Sequence, residues 1–119
     1  MNMALMSALA NQSFAQIRAD PEQWGHWVES AIGAHLINTS IEHGFELFYW
    51  RERGREVDFV VRYQGRLLAI EVKSHYRKTA LPGMDAFVKA FNPGKILLVG
   101  GGGLDIEQFL SMDVKQWLP

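Results

Sequence analysis

Residues 56–74 read EVDFVVRYQGRLLAIEVKS, and the Gln64-Gly65 pair at its centre decides how the rest is arranged. A two-residue loop of this kind closes a β-hairpin. With Gln64 and Gly65 as the loop, Tyr63 faces Arg66 and every other cross-strand pair follows from that register. Val57 then faces Val72, Phe59 faces Ile70 and Val61 faces Leu68, an apolar face suited to a core. The other face pairs Glu56 with Lys73, Asp58 with Glu71, Val60 with Ala69 and Arg62 with Leu67. Carboxylates opposed at ~5 Å repel by on the order of 3 kcal/mol at an effective dielectric of about 20. A divalent cation offsets that repulsion, because Mg²⁺ takes one or two carboxylates and completes its shell with water and substrate phosphate. Lys73, on the same face, can stabilise a phosphoryl transition state or hold an attacking water. Equally, it can neutralise Glu56 and the acid pair as a surface charge ladder.

The segments on either side alternate between the two periods. Asp20 can cap a helix, Pro21 suits its first position and Gln23 stands where a capping box has Glu or Gln. Trp24, Trp27, Val28, Ala31, Ile32, His35 and Leu36 keep helical spacing, which predicts a helix to about Asn38 with a broad apolar stripe. Glu29 lies at the border of that stripe, with Gly25 and Gly33 about one turn to either side. Glycine inside a helix costs roughly 0.5–1 kcal/mol relative to alanine, so the pair indicates close packing or access to a site. Residues 45–51 read as a strand, with a turn at 52–55 containing Gly54. Residues 83–91 read as a helix stopped by Asn92-Pro93-Gly94, residues 95–99 as a buried strand, and residues 105–110 as a short helix capped by Asp105. Residues 3–19 read as a short apolar helix. The final residues carry no assignable pattern.

The chain has 119 residues, 48% apolar and 21% charged, with 14 Phe, Trp and Tyr, which suits one α/β domain with its own core. It divides into an N-terminal helical segment, 1–19, and a main domain, 20–119. The absence of Cys excludes disulfides and thiolate chemistry. The four His show no zinc spacing, no apolar run reaches a membrane span, and no secretory signal is evident, so a cytoplasmic protein is expected. Net charge is −1, yet residues 51–78 hold eight Lys/Arg against four Asp/Glu, while the remainder holds four against nine. The local +4 marks one basic stretch in an otherwise acidic domain.

Glu29 on the opening helix, Asp58 in Glu56-Val57-Asp58, and Glu71-Val72-Lys73 together resemble the PD-(D/E)xK nuclease superfamily, with Val57 where its signature has Pro. The phrases around Trp24-Gly25, Val28-Glu29, Tyr49-Trp50-Arg51, Glu56 to Phe59 and Ile70 to Ser74 resemble more narrowly the uncharacterised domain found C-terminal to AAA-type ATPase modules in bacteria and archaea. The resemblance covers roughly residues 20–112. It implies a restriction-endonuclease-like mixed β-sheet flanked by α-helices, and a nuclease-like phosphodiesterase acting on DNA with Mg²⁺ or Mn²⁺. Glu29, Asp58 and Glu71 would be the metal ligands, and Asp58, Glu71 and Lys73 the catalytic set. It also implies an ATPase module absent from this chain. Arg51, Arg53 and Arg77 are candidate phosphate contacts. The alternative is a catalytically silent accessory domain that binds nucleic acid or docks to such an ATPase. In a third reading the apolar segment 1–17 packs on the ATPase or forms a homodimer.

Other signals carry less. Gly100 to Gly103 lacks the Lys-Ser/Thr of a phosphate loop and reads as a turn. His35 reads as a packed helix residue, His75 as a solvated strand end, and Tyr49 and Trp50 as core residues that could otherwise stack bases.

Overall fold

Asp20 ends one helix and starts the next. A computed structural model describes residues 13–74 and 81–119; residues 1–12, His75 and Arg77 lie outside them. Helix α1, Phe14–Ala19, opens with a complete capping box between Ser13 and Gln16. Helix α2, Pro21–His43, follows at once, its first turn held by Asp20 Oδ1, which accepts from the amides of Glu22 (3.1 Å) and Gln23 (3.3 Å). Here Asp20 alone caps, because the complete reciprocal box belongs to α1.

Helix α2 runs past the expected end near Asn38. The hydroxyls of Thr39 and Ser40 donate back to the carbonyls of His35 (2.8 Å) and Ile37 (2.7 Å), so these poor helix formers stay within the helix. The stop comes at Gly44, which takes φ 73° and donates its N–H to Ser40 O. Val28, Ile32 and Leu36 are fully buried, and Trp24 and Trp27 pack beside them, as the spacing predicts. Ile37 and Ile41 fall outside the stripe and remain exposed.

The sheet is formed by β1, Glu46–Glu52; β2, Arg55–Tyr63; β3, Arg66–Lys73; and β4, Lys95–Gly100. Its order is β1-β2-β3-β4, antiparallel at the first two junctions and parallel at the third. Helix α3, Pro82–Phe91, lies in the connection from β3 to β4, as a parallel junction requires. Helix α4, Ile106–Ser111, and a 3₁₀ turn, Val114–Trp117, close the chain. Both hairpins use two-residue loops with positive φ at each position, Arg53-Gly54 and Gln64-Gly65. The architecture is therefore α/β, a mixed sheet flanked by helices.

The β2–β3 register agrees with the sequence from Tyr63↔Arg66 to Phe59↔Ile70, and the pairing then ends. On the other side of β2 the register shifts, with Phe48 facing Val60 and Trp50 facing Val57. Asp58 and Phe59 therefore stand together opposite Tyr49 as a β-bulge. One extra residue reverses the alternation beyond it. Val57, expected beside Val72, instead packs with Val60, Ala69, Met84 and Phe87 beneath α3. Glu56, expected opposite Lys73, faces Arg51 and accepts from its guanidinium. The larger core lies on the other face, where α2, α4 and the 3₁₀ turn cover Phe45, Val61, Leu68, Ile70 and Val99.

Two glycines permit close contacts at one end of the sheet. A Cβ on Gly83 would overlap the Glu56 carbonyl, and one on Gly100, at φ 75°, would overlap the Lys73 carbonyl. Gly100 to Gly103 form the expected turn, with the Gly100 N–H donating to Leu104 O (2.7 Å). Asp105 caps α4 through its bond from the Gln108 amide (3.2 Å). His35 packs edge-on to Phe109 and lies 3.0 Å from Met112 O, so it is a packed residue as read.

Candidate metal and phosphate site

The bulge sets the position of Asp58. Where pairing with β3 stops, Asp58 Oδ2 accepts the Val72 N–H at 2.8 Å, so a side chain takes over from the backbone ladder. Beyond this point β2 and β3 form a fork. Glu71 is buried there at 6% exposure, the one buried charged residue among those described. Lys73 reaches back to it, with Nζ 3.3 Å from Glu71 Oε1.

The electrostatics follow from burial. Loss of solvent, then the neighbouring Asp58 carboxylate, push the Glu71 carboxyl up from 4.5 to about 7 against the pull of Lys73. Glu29 also rises, through partial desolvation and then the Asp58 and Glu56 carboxylates, although its side chain reaches solvent at the rim. The two glycines beside Glu29 explain how α2 comes so close. A Cβ on Gly25 would stand 3.4 Å from Ser74 Oγ, and one on Gly33 would stand 3.3 Å from the Phe59 ring.

Glu29, Asp58, Glu71 and Lys73 line one crevice of about 420 Å³. Arg55 and the start of α3, Leu81 to Gly83, form its opposite wall. Leu81 offers no side-chain cap, and the first turn of α3 carries the Asp85 carboxylate. The sequence reading missed Arg55 as a site residue; its only signal was adjacency to Glu56 in the basic hairpin. It also missed His26, one turn before Glu29, which lines a neighbouring pocket with Glu29 and Lys73.

The donors fit a hard divalent cation on chemical grounds: oxygen ligands, one pair destabilised by mutual repulsion, and an open side toward solvent. The three acids do not close completely. Among the described residues, only Glu42, His43 and Asp113 bring ligand atoms within 4.8 Å of one another. That group is largely exposed, and His43 Nε2 and Asp113 Oδ1 are already hydrogen-bonded to each other at 2.7 Å. Asp58 is the charge that acts most strongly on Glu71, and Glu29 does not join the two within ligand distance.

The arginines separate. Arg51 is engaged by Glu56 at 3.2 and 3.0 Å. Arg53 is exposed at the tip of the β1–β2 loop, and Arg77 lies outside the described residues. Trp50 packs on Phe87 and Phe91 as expected of a core residue, whereas Tyr49 departs from expectation at 76% exposure.

Residues 24–113 match the domain of unknown function DUF4143, and the chain belongs to that family, a domain found with AAA-type ATPases. No curated protein and no solved structure matches the chain. No helix among the described residues is long and apolar enough to cross a membrane.

Proposed function

We propose that the domain is a Mg²⁺- or Mn²⁺-dependent phosphodiesterase of nuclease type acting on DNA, working as the C-terminal module of an ATPase-type protein. The observation that carries this reading is the nearly buried Glu71, set against Asp58 at an open strand fork with the Lys73 ammonium at 3.3 Å. A fold keeps a repulsive carboxylate pair at a cost in stability, and cation binding is the simplest chemistry that offsets it. The resemblance to the PD-(D/E)xK superfamily supports the same assignment.

In this reading Glu29, Asp58 and Glu71 would hold the metal. When bound, the metal polarises a phosphoryl oxygen and lowers the pKa of a bound water. Lys73 presents its ammonium to the attacking water and to the developing negative charge. Arg55 attracts and orients the flanking phosphate.

Lys73→Ala is expected to reduce Mn²⁺-stimulated cleavage of plasmid DNA by on the order of 10²-fold, while Mn²⁺ binding is retained. Equal cleavage by both proteins would remove Lys73 from the chemistry. A second reading, a non-catalytic accessory module of the ATPase, draws on the outlying position of Glu29. It predicts no cleavage by wild type and no rise in melting temperature with Mn²⁺.

A further inference from the structure

A second groove, of about 350 Å³, runs beside the carboxylate crevice. It shares Glu29, Glu56 and Asp58 with that crevice and adds Tyr49, Phe59 and Arg51. Whatever polymer reaches the carboxylates therefore has a continuous path into it. The groove lies along β1, the edge strand of the sheet. Alternation on β1 puts Leu47 and Tyr49 on the α2 side, in keeping with Leu47 joining the α2-side core and Trp50 packing under α3. Tyr49 is thus on the side from which Glu29 approaches, opposite the two bulge residues, and it keeps 76% of its surface exposed.

The lining selects the chemistry of the occupant. Glu29 and Asp58 repel a phosphate that no cation neutralises, but they accept hydrogen bonds from N–H groups. Arg51 is held by Glu56 through two hydrogen bonds, so its guanidinium forms part of the wall and is not a free anion contact. Tyr49 and Phe59 supply apolar rings. A flat, neutral group that carries N–H donors and is attached to a phosphate backbone meets all of these conditions.

We infer that this groove is a nucleobase subsite, and that the DNA reaching the carboxylates is single-stranded or frayed, with an unstacked base against Tyr49. The inference rests on the phosphodiesterase reading for why DNA is present, and it adds the substrate class. Base stacking on an aromatic ring tolerates any sequence, whereas a closed duplex hides its base faces.

The test is fluorescence anisotropy in Ca²⁺, a hard cation that neutralises phosphate charge, with three labelled probes: a short oligodeoxyadenylate, the same strand in duplex, and an abasic strand of equal length. The single strand is expected to bind most tightly. Tyr49→Ala is expected to weaken its binding roughly tenfold, and Tyr49→Phe to retain it. Equal affinity for the three probes, or unchanged affinity in Tyr49→Ala, would overturn the subsite. A parallel Mn²⁺ titration of the protein alone reports on the metal reading separately, because a difference between the probes that depends on Tyr49 supports the subsite whatever that titration shows.

Discussion

Asp58→Asn is expected to lower metal-dependent cleavage by on the order of 10³-fold with little change in folding. The asparagine carbonyl can still accept the Val72 N–H that Asp58 now takes at 2.8 Å, so the fork keeps its shape. What disappears is the negative charge beside Glu71. Asp58→Ala separates the two roles, because it removes the acceptor as well and leaves a backbone N–H unpaired at about 1–3 kcal/mol. Both variants should lose cleavage, and only the alanine variant should melt appreciably earlier. Wild-type cleavage by Asp58→Asn would show that Asp58 is structural.

Glu71→Gln should do two opposite things. Without metal at pH 8 it should stabilise the domain by up to about 3 kcal/mol, since it relieves a buried charge whose carboxyl is raised from 4.5 to about 7. With metal it should abolish cleavage. The pH dependence has a definite sign. The folded state holds a proton on Glu71 that the unfolded chain releases above pH 4.5, so this contribution to stability is full below 4.5 and is lost as pH rises through about 7. The melting temperatures of wild type and Glu71→Gln should therefore converge at pH 5 and diverge toward pH 8. Mn²⁺ added at pH 8 should raise only the wild-type value. Parallel melting curves across that range would contradict a strained carboxylate at this position.

The hairpin was legible because a single local feature, Gln64-Gly65, sets all the pairs from Tyr63↔Arg66 to Phe59↔Ile70. The start of α2 was legible for the same reason, since its cap is written in consecutive residues. The end of α2 was misplaced because Thr39 and Ser40 are weak helix formers whose back-bonding to His35 and Ile37 is invisible in a propensity pattern. The bulge was not legible at all. Nothing in Val57 to Val60 distinguishes four regular strand residues from a strand that slips by one. The difference depends on α3, which packs Met84 and Phe87 against Val57 and brings Gly83 onto the Glu56 backbone.

The same local event accounts for what the sequence reading of the site held and what it lacked. Register arithmetic put Asp58 directly opposite Glu71, but the ladder ends one pair earlier, at Phe59↔Ile70, and the two carboxylates act on each other across the fork. The arithmetic did not foresee that Asp58 would take over a backbone hydrogen bond of β3, or that Glu56 would turn away from Lys73 to Arg51. Tyr49 was assigned to the core because large aromatic residues in a strand usually are buried. It is instead exposed on the edge strand β1, opposite the two bulge residues.

The decisive experiment is isothermal titration of Mn²⁺ into the wild-type domain and into Asp58→Asn at pH 6.5, in two buffers of different ionisation enthalpy. With Glu71 partly protonated at that pH, wild type is expected to bind saturably with proton release, and Asp58→Asn not to bind. Absence of binding to wild type, or equal binding by the two proteins, would contradict a metal held between Asp58 and Glu71.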